Sequence, residues 1–131
     1  MITEQNKLTL DIKGTFEVAI ARNRVRQGAA ALKLPLMLQA RASAAITTIV
    51  ELVLFQSKVS KRELKLVVLF HTEQAQQGIE FQFFAPFRSD ILKHITVAEW
   101  QLQQACDELE ISQHGSFDHV TMRIWSRRQN S

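Results

Sequence analysis

Residues 106–125 read Cys106-Asp107-Glu108-Leu109-Glu110-Ile111-Ser112-Gln113-His114-Gly115-Ser116-Phe117-Asp118-His119-Val120-Thr121-Met122-Arg123-Ile124-Trp125. Leu109-Glu110-Ile111 reads as a short strand and His114-Gly115 as a turn. Val120, Met122 and Ile124 take the inward positions of a last strand, and Thr121, Arg123 and Trp125 point to its other face, because side chains alternate along a strand. Immediately upstream, residues 88–107 are a helical candidate with Ile91, Ile95, Ala98, Leu102, Ala105 and Cys106 on the apolar side.

Working outward, Lys7-Leu8-Thr9-Leu10-Asp11-Ile12-Lys13 alternates polar and apolar and predicts a strand ending at Gly14. The period then changes: Val18, Val25, Ala29 and Leu32 form one helical stripe, with Thr15 as N-cap, Glu17 behind it and Pro35 as the stop. A second helix is expected from about Met37 to Ser57, with Ile46, Ile49, Val50 and Val53 on a core face and Thr48, Glu51 and Phe55 on a second face. Leu64, Leu66, Val68 and Phe70 predict a largely buried strand, Gln77-Gly78 a turn, and Ile79, Phe81 and Phe83 its hairpin partner, ended by Pro86. The order strand, helix, helix, strand, strand, helix, strand, strand predicts an α+β fold. It is a two-layer α/β sandwich in which a mixed, mostly antiparallel sheet carries three helices on one face, in a single domain over 1–131.

Composition narrows the classes. With 131 residues, 46% hydrophobic and 22% charged, the chain is large enough to bury a core without disulfides or a structural metal. The longest apolar run, Ile49 to Phe55, is interrupted by Glu51 and falls short of the roughly 18 residues of a membrane span. No secretory signal is read at the N-terminus, so a cytoplasmic location is expected. Cys106 is read as a small buried hydrophobe, its reactivity opposed by Asp107 and Glu108. The net charge of +3 is spread over three small clusters: Arg22, Arg24 and Arg26; Lys58, Lys61, Arg62 and Lys65; and Arg123, Arg127 and Arg128. No nucleic-acid-binding motif accompanies them, so a solvated basic surface is preferred to nucleic-acid binding, which remains a weaker third class. His71, His94, His114 and His119 show no metal-ligand spacing on one element, although His114 and His119 flank the predicted turn and could approach across it. Phe81, Phe83, Phe84 and Phe87 are read as core, with Phe84 and Trp125 as an alternative outward patch for a partner or a homodimer.

Element order and two stretches together resemble the anti-sigma regulatory factors, or switch serine-protein kinases, of the histidine-kinase-like (Bergerat) ATPase superfamily. That family carries a helix running into Met-Asp-Glu-Phe-x-Ile, a Gly-x-Gly-Thr-x-Val turn and a final strand ending near a Trp. Here Cys106-Asp107-Glu108-Leu109-Glu110-Ile111, Gly115-Ser116-Phe117-Asp118-His119-Val120 and Thr121-Met122-Arg123-Ile124-Trp125 keep the spacing. Ala21-Arg22-Asn23-Arg24-Val25-Arg26 resembles the Arg-rich first helix, and Glu51-Leu52 the start of the family's Glu-Leu-x-x-Asn.

The resemblance implies that Glu51 corresponds to the proposed base that orients a serine hydroxyl. The Asn that would ligate Mg²⁺ is replaced by Phe55. The Asp-x-Gly-x-Gly stretch is matched by Phe83-Phe84-Ala85-Pro86-Phe87, and the glycines of the phosphate segment by Thr96-Val97-Ala98. In the last motif Phe117 and Asp118 stand where Gly and Thr are usual. On this basis Phe55, Phe84 and Phe87 would place rings, and Asp118 a charge, where a phosphate-bearing ligand sits in the family. The implied protein is a degenerate member, a pseudoenzyme without cofactor, acting in partner switching and transcription regulation. Its alternative is an active serine/threonine protein kinase with divergent motifs, using Glu51, ATP and Mg²⁺. The implied partner is an antagonist or sigma-factor-like regulatory protein bound through Arg22 and Arg26, which share a helix face. The competing readings are a solvated arginine face, and for Glu51 a carboxylate paired with a nearby base or held by a structural hydrogen bond.

Overall fold

The computed structural model describes residues 6–55, 64–73, 75–85, 92–115 and 117–126; the side chains of Phe55 and of residues 92–98 lie outside that description. The elements are β1 (Lys7–Ile12), α1 (Thr15–Ala31), α2 (Leu36–Val50), β2 (Leu64–Glu73), β3 (Gln76–Ala85), α3 (Leu92–Ala105), β4 (Glu108–His114) and β5 (Phe117–Trp125). The strands form one five-stranded sheet in the order β1-β2-β3-β5-β4. Every ladder is antiparallel, where a mixed sheet was expected. Hairpins join β2 to β3 and β4 to β5, and β1 pairs with β2 as an outer strand, so no parallel crossover is needed.

Strand alternation sorts the two faces. Leu10 and Ile12, Leu64, Leu66, Val68 and Phe70, Ile79, Phe81 and Phe83, and Val120, Met122 and Ile124 are all buried beneath the helices. Helix α2 lies centrally, packing on α1, α3, β3 and β5. Its Leu38, Ala42, Ala45, Ile46, Ile49 and Val50, with Val53 beyond, are buried as the predicted core face requires. The segment Leu36–Leu54 is long and apolar enough to cross a membrane, a property that the interrupted run at Glu51 concealed. Over half of it is buried inside the fold, where its apolar side is spent on the sheet and α1.

Helix α1 buries Ala21, Val25 and Ala29, with Val18 and Leu32 partly buried at either end of the stripe. Its N-cap is Gly14 rather than Thr15, with no side-chain cap. Glu17 instead turns back to accept the backbone N–H of Lys13 at 3.1 Å, which satisfies a donor just outside the helix and places an acid in the first turn. At the other end Lys33 adopts φ 61° and the N–H of Leu34 bonds to the carbonyl of Ala29 at 2.9 Å, a left-handed stop of the usual helix-terminating kind.

Gln77-Gly78 is not the turn. β2 and β3 stay paired out to Glu73 opposite Gln76, and Gly78 sits inside β3 between His71 and Trp125. A strand glycine often marks close approach of another group. Here the Trp125 ring lies over the place of the missing side chain, and His71 packs against that ring with centroids 5.2 Å apart.

The stretch that opened the sequence reading is pinned by Asp107. Its carboxylate accepts a bidentate pair from Arg41 of α2, at 2.8 and 3.0 Å, and the backbone N–H of Trp125 at 2.7 Å. One short acidic side chain thereby ties α2, the α3–β4 junction and the end of β5 together through charge-assisted bonds. Cys106 beside it donates to the carbonyl of Leu102. Burial and Asp107 push its thiol up to about 11, which leaves it protonated and unreactive near neutrality.

Candidate functional site

Helices α1 and α2 run antiparallel, so the N-terminal half of α1 lies beside the C-terminal end of α2. Between them opens a groove of about 330 Å³ lined by Thr15, Val18, Ala19, Arg22, Thr47, Val50 and Glu51. The α1 contribution recurs at three- and four-residue spacing, which puts Thr15, Val18 or Ala19, and Arg22 on one face. Val50 forms the floor and is buried, while Arg22 is half-buried and Glu51 exposed. Two residues singled out from sequence on separate grounds are thus brought into one groove. Arg26 is not among the lining residues and is exposed on α1 with Arg24.

Neither Arg22 nor Glu51 has a side-chain hydrogen bond or ion pair among the described residues. Among the described residues no base or hydrogen-bond donor is paired with the Glu51 carboxylate. Thr47 spends its hydroxyl on the carbonyl of Ser43, and Thr48 on that of Ala44. The groove therefore presents one cation and one anion that have no partner among the described residues, over an apolar floor. At Glu51 the α2 helix passes into a π-helical turn, Glu51–Phe55, a local widening that recurs at functional positions. Beside the groove, one residue further round α1, Phe16 and Ile20 stand 74% and 44% exposed.

The stretch matched to the family's nucleotide motifs is placed differently from expectation. Phe83 and Ala85 point under the helices and are buried, whereas Phe84 points out of the opposite face and is 56% exposed. Phe84 therefore does not project toward a ligand on the helical side, because strand alternation sends it away from its neighbours on β3. Asp118 does face the helical side, opposite Ala85, and is fully buried. The backbone of Phe55 ends the π-helical turn, but its side chain lies outside the described residues. So do Pro86 and Phe87, the side chains of Ile91, His94, Ile95, Thr96, Val97 and Ala98, and the basic residues Lys58, Lys61, Arg62, Arg127 and Arg128.

The outward face of the sheet carries a charge network that single-residue reading missed. Glu80 is 5% exposed and accepts bonds from His71 Nε2 at 3.1 Å, Arg123 Nε at 3.0 Å and Gln82 Nε2. Arg123 also reaches Glu108 and Glu110, and the indole N–H of Trp125 bonds to Glu108. Burial raises the Glu80 carboxyl's pKa, but the bonds from Gln82, His71 and Arg123 outweigh burial and hold it below its ordinary value. A register signal was present in the sequence: Glu80, Arg123 and Glu108 all occupy outward positions. Only the pairing of β3 with β5 and β5 with β4 makes them neighbours.

No family model matches the chain, and no curated protein matches it in sequence. Its fold is similar to that in the crystal structure of the RsbU and RsbW domains of Rv1364c from Mycobacterium tuberculosis, with a TM-score of 0.62 over 92% of this chain at 12% identity. The chain spans 33% of the length of that solved chain. At that identity the likeness is one of architecture alone, shared with a structure that contains an RsbW domain.

Proposed function

We propose that the chain is a regulatory protein-binding module of the anti-sigma, partner-switching kind, working through the α1–α2 groove and without nucleotide chemistry. The observation that carries this is the groove itself, where Arg22 and Glu51 have no partner among the described residues and stand beside exposed Phe16 and Ile20. Charged side chains at a rim with aromatic or aliphatic anchors next to them are what a protein partner needs for orientation and affinity. The shared fold with a structure containing an RsbW domain supports the class of partner: a regulatory protein of an antagonist or sigma-factor-like kind. The location consistent with that role is the cytoplasm.

Loss of ATP is supported by residue chemistry. The β3 stretch offers buried Phe83 at the position of the family's Asp and buried Ala85 where close nucleotide approach calls for a glycine, and buried Asp118 adds an acid on that side. The described residues do not fit a Mg-ATP site, so no catalytic step is derived through one.

Two measurements test the proposal. Titrating the protein with Mg-ATP to low-millimolar concentration is expected to leave Tm unchanged, whereas a ligand at 100 times its Kd would add about 2.7 kcal/mol. A rise in Tm would overturn the nucleotide-free reading and favour an active serine kinase, whose supporting observation is the exposed Glu51 carboxylate at the groove. In affinity capture, Arg22→Glu is expected to weaken retention of a specific protein at least tenfold, a change worth about 1.4 kcal/mol. Equal retention by the variant would remove the groove from the interface.

A further inference from the structure

On the side of the sheet away from the groove, β4 and β5 carry His114 and His119. Register places Ser112 opposite His119 and His114 opposite Phe117, so the two imidazoles are diagonal neighbours on one exposed face. Their ring centroids are 5.8 Å apart, with planes at 80°. Phe84 of β3 packs against both, at 4.8 Å from His119 and 5.9 Å from His114. Neither imidazole makes a hydrogen bond or ion pair among the described residues. His71, by contrast, has its Nε2 engaged by Glu80.

We infer that His114 and His119 form a two-imidazole site for a divalent late-transition ion such as Zn²⁺, with water filling the remaining positions. Imidazole nitrogen suits such ions, which bind it at about 2.0–2.1 Å. An ion at that distance lies roughly 3 Å from each ring centre, so two rings at a near-tetrahedral angle have centroids about 5 Å apart. The observed separation of 5.8 Å is within about 1 Å of that figure. The hairpin is fixed by Gly115, whose φ of 63° suits a tight turn, and the Phe84 ring limits where each imidazole can swing. Both features lower the ordering cost of bringing two ligands together. No third His, Cys, Asp or Glu joins them among the described residues, so the ion would remain exchangeable.

Because the α1–α2 groove plays no part, this inference stands apart from the proposed function. The test is calorimetric titration of the intact chain with ZnCl₂, together with His114→Asn, His119→Asn and His94→Asn. Wild type and His94→Asn are expected to bind alike, and each of the other two variants at least about tenfold more weakly, the usual consequence of losing support at a metal site. Thermal melting without metal should show all four proteins folded, since both positions are on the outer face. Absence of binding by wild type up to about 1 mM Zn²⁺, or wild-type affinity in His119→Asn, overturns the inference.

Discussion

Glu80→Gln is expected to cost about 2 kcal/mol at neutral pH, because a buried charge is removed from the midst of Arg123, His71 and Gln82. For a domain of this size that is a fall in Tm of roughly 6–10 °C. Glu108 and Glu110 still neutralise the outer side of Arg123, which keeps the loss below the figure for an orphaned buried ion. The pH dependence follows from the direction of the shift. The carboxyl of Glu80 is held below its ordinary value of 4.5 in the folded state, so between the two values the unfolded chain binds more protons and stability rises with pH. Its contribution is fully present above about pH 5 and disappears as the pH falls through the folded value. Melting from pH 7 to pH 3 should therefore show a steep acid limb for wild type and a shallower one for Glu80→Gln, the curves converging at low pH. Parallel curves would mean that Glu80 is not the group being titrated.

That network also shows where sequence reading reaches its limit. Alternation told which way Glu80 and Arg123 point, since each sits between buried neighbours on its strand, and Glu108 precedes the partly buried Leu109. It did not tell that β5 inserts between β3 and β4, and without that order the three charges have no reason to meet. Helices were more legible because their periodicity is local: Ile46, Ile49, Val50 and Val53 were recognisable as core from spacing alone, and all four are buried. The N-cap was misread because Thr15 has the right chemistry but stands one residue inside the helix, whose first turn is secured by Glu17 and Gly14 instead.

The candidate site divides in the same way. Arg22 and Glu51 were identifiable one by one, and the antiparallel packing of α1 on α2 brought them into one groove. Phe84 was misplaced because a motif alignment carries no information about which face of a strand a residue occupies, and one step along β3 reverses it. Asp107 is legible in the sequence as part of a motif and as an acid beside Cys106; its physical role is also the clamp on Arg41 and Trp125, partners 66 and 18 positions away.

Gly78→Ala is the substitution expected to damage the fold most for the least added volume. A methyl group there would lie 2.6 Å from the carbonyl oxygen of Ile124 and within 2.7 Å of the Trp125 ring. The ring could swing aside, at the cost of its contact with His71 and its bond to Glu108. The carbonyl cannot, because it belongs to β5 in its ladder with β3. Overpacking of a closed site costs about 1–3 kcal/mol, and a rigid backbone neighbour places this case at the upper end, near 3 kcal/mol and roughly 10 °C in Tm. Valine, with two further methyls in the same space, should prevent the β3–β5 pairing from forming at its native spacing. Trp125 reports the event locally: half-buried in the native chain, it should become more exposed, and a red shift of emission is expected. Trp100 is already 61% exposed and contributes a constant background. A Gly78→Ala protein melting within a degree of wild type, with unshifted emission, would show that β3 slides to admit a side chain.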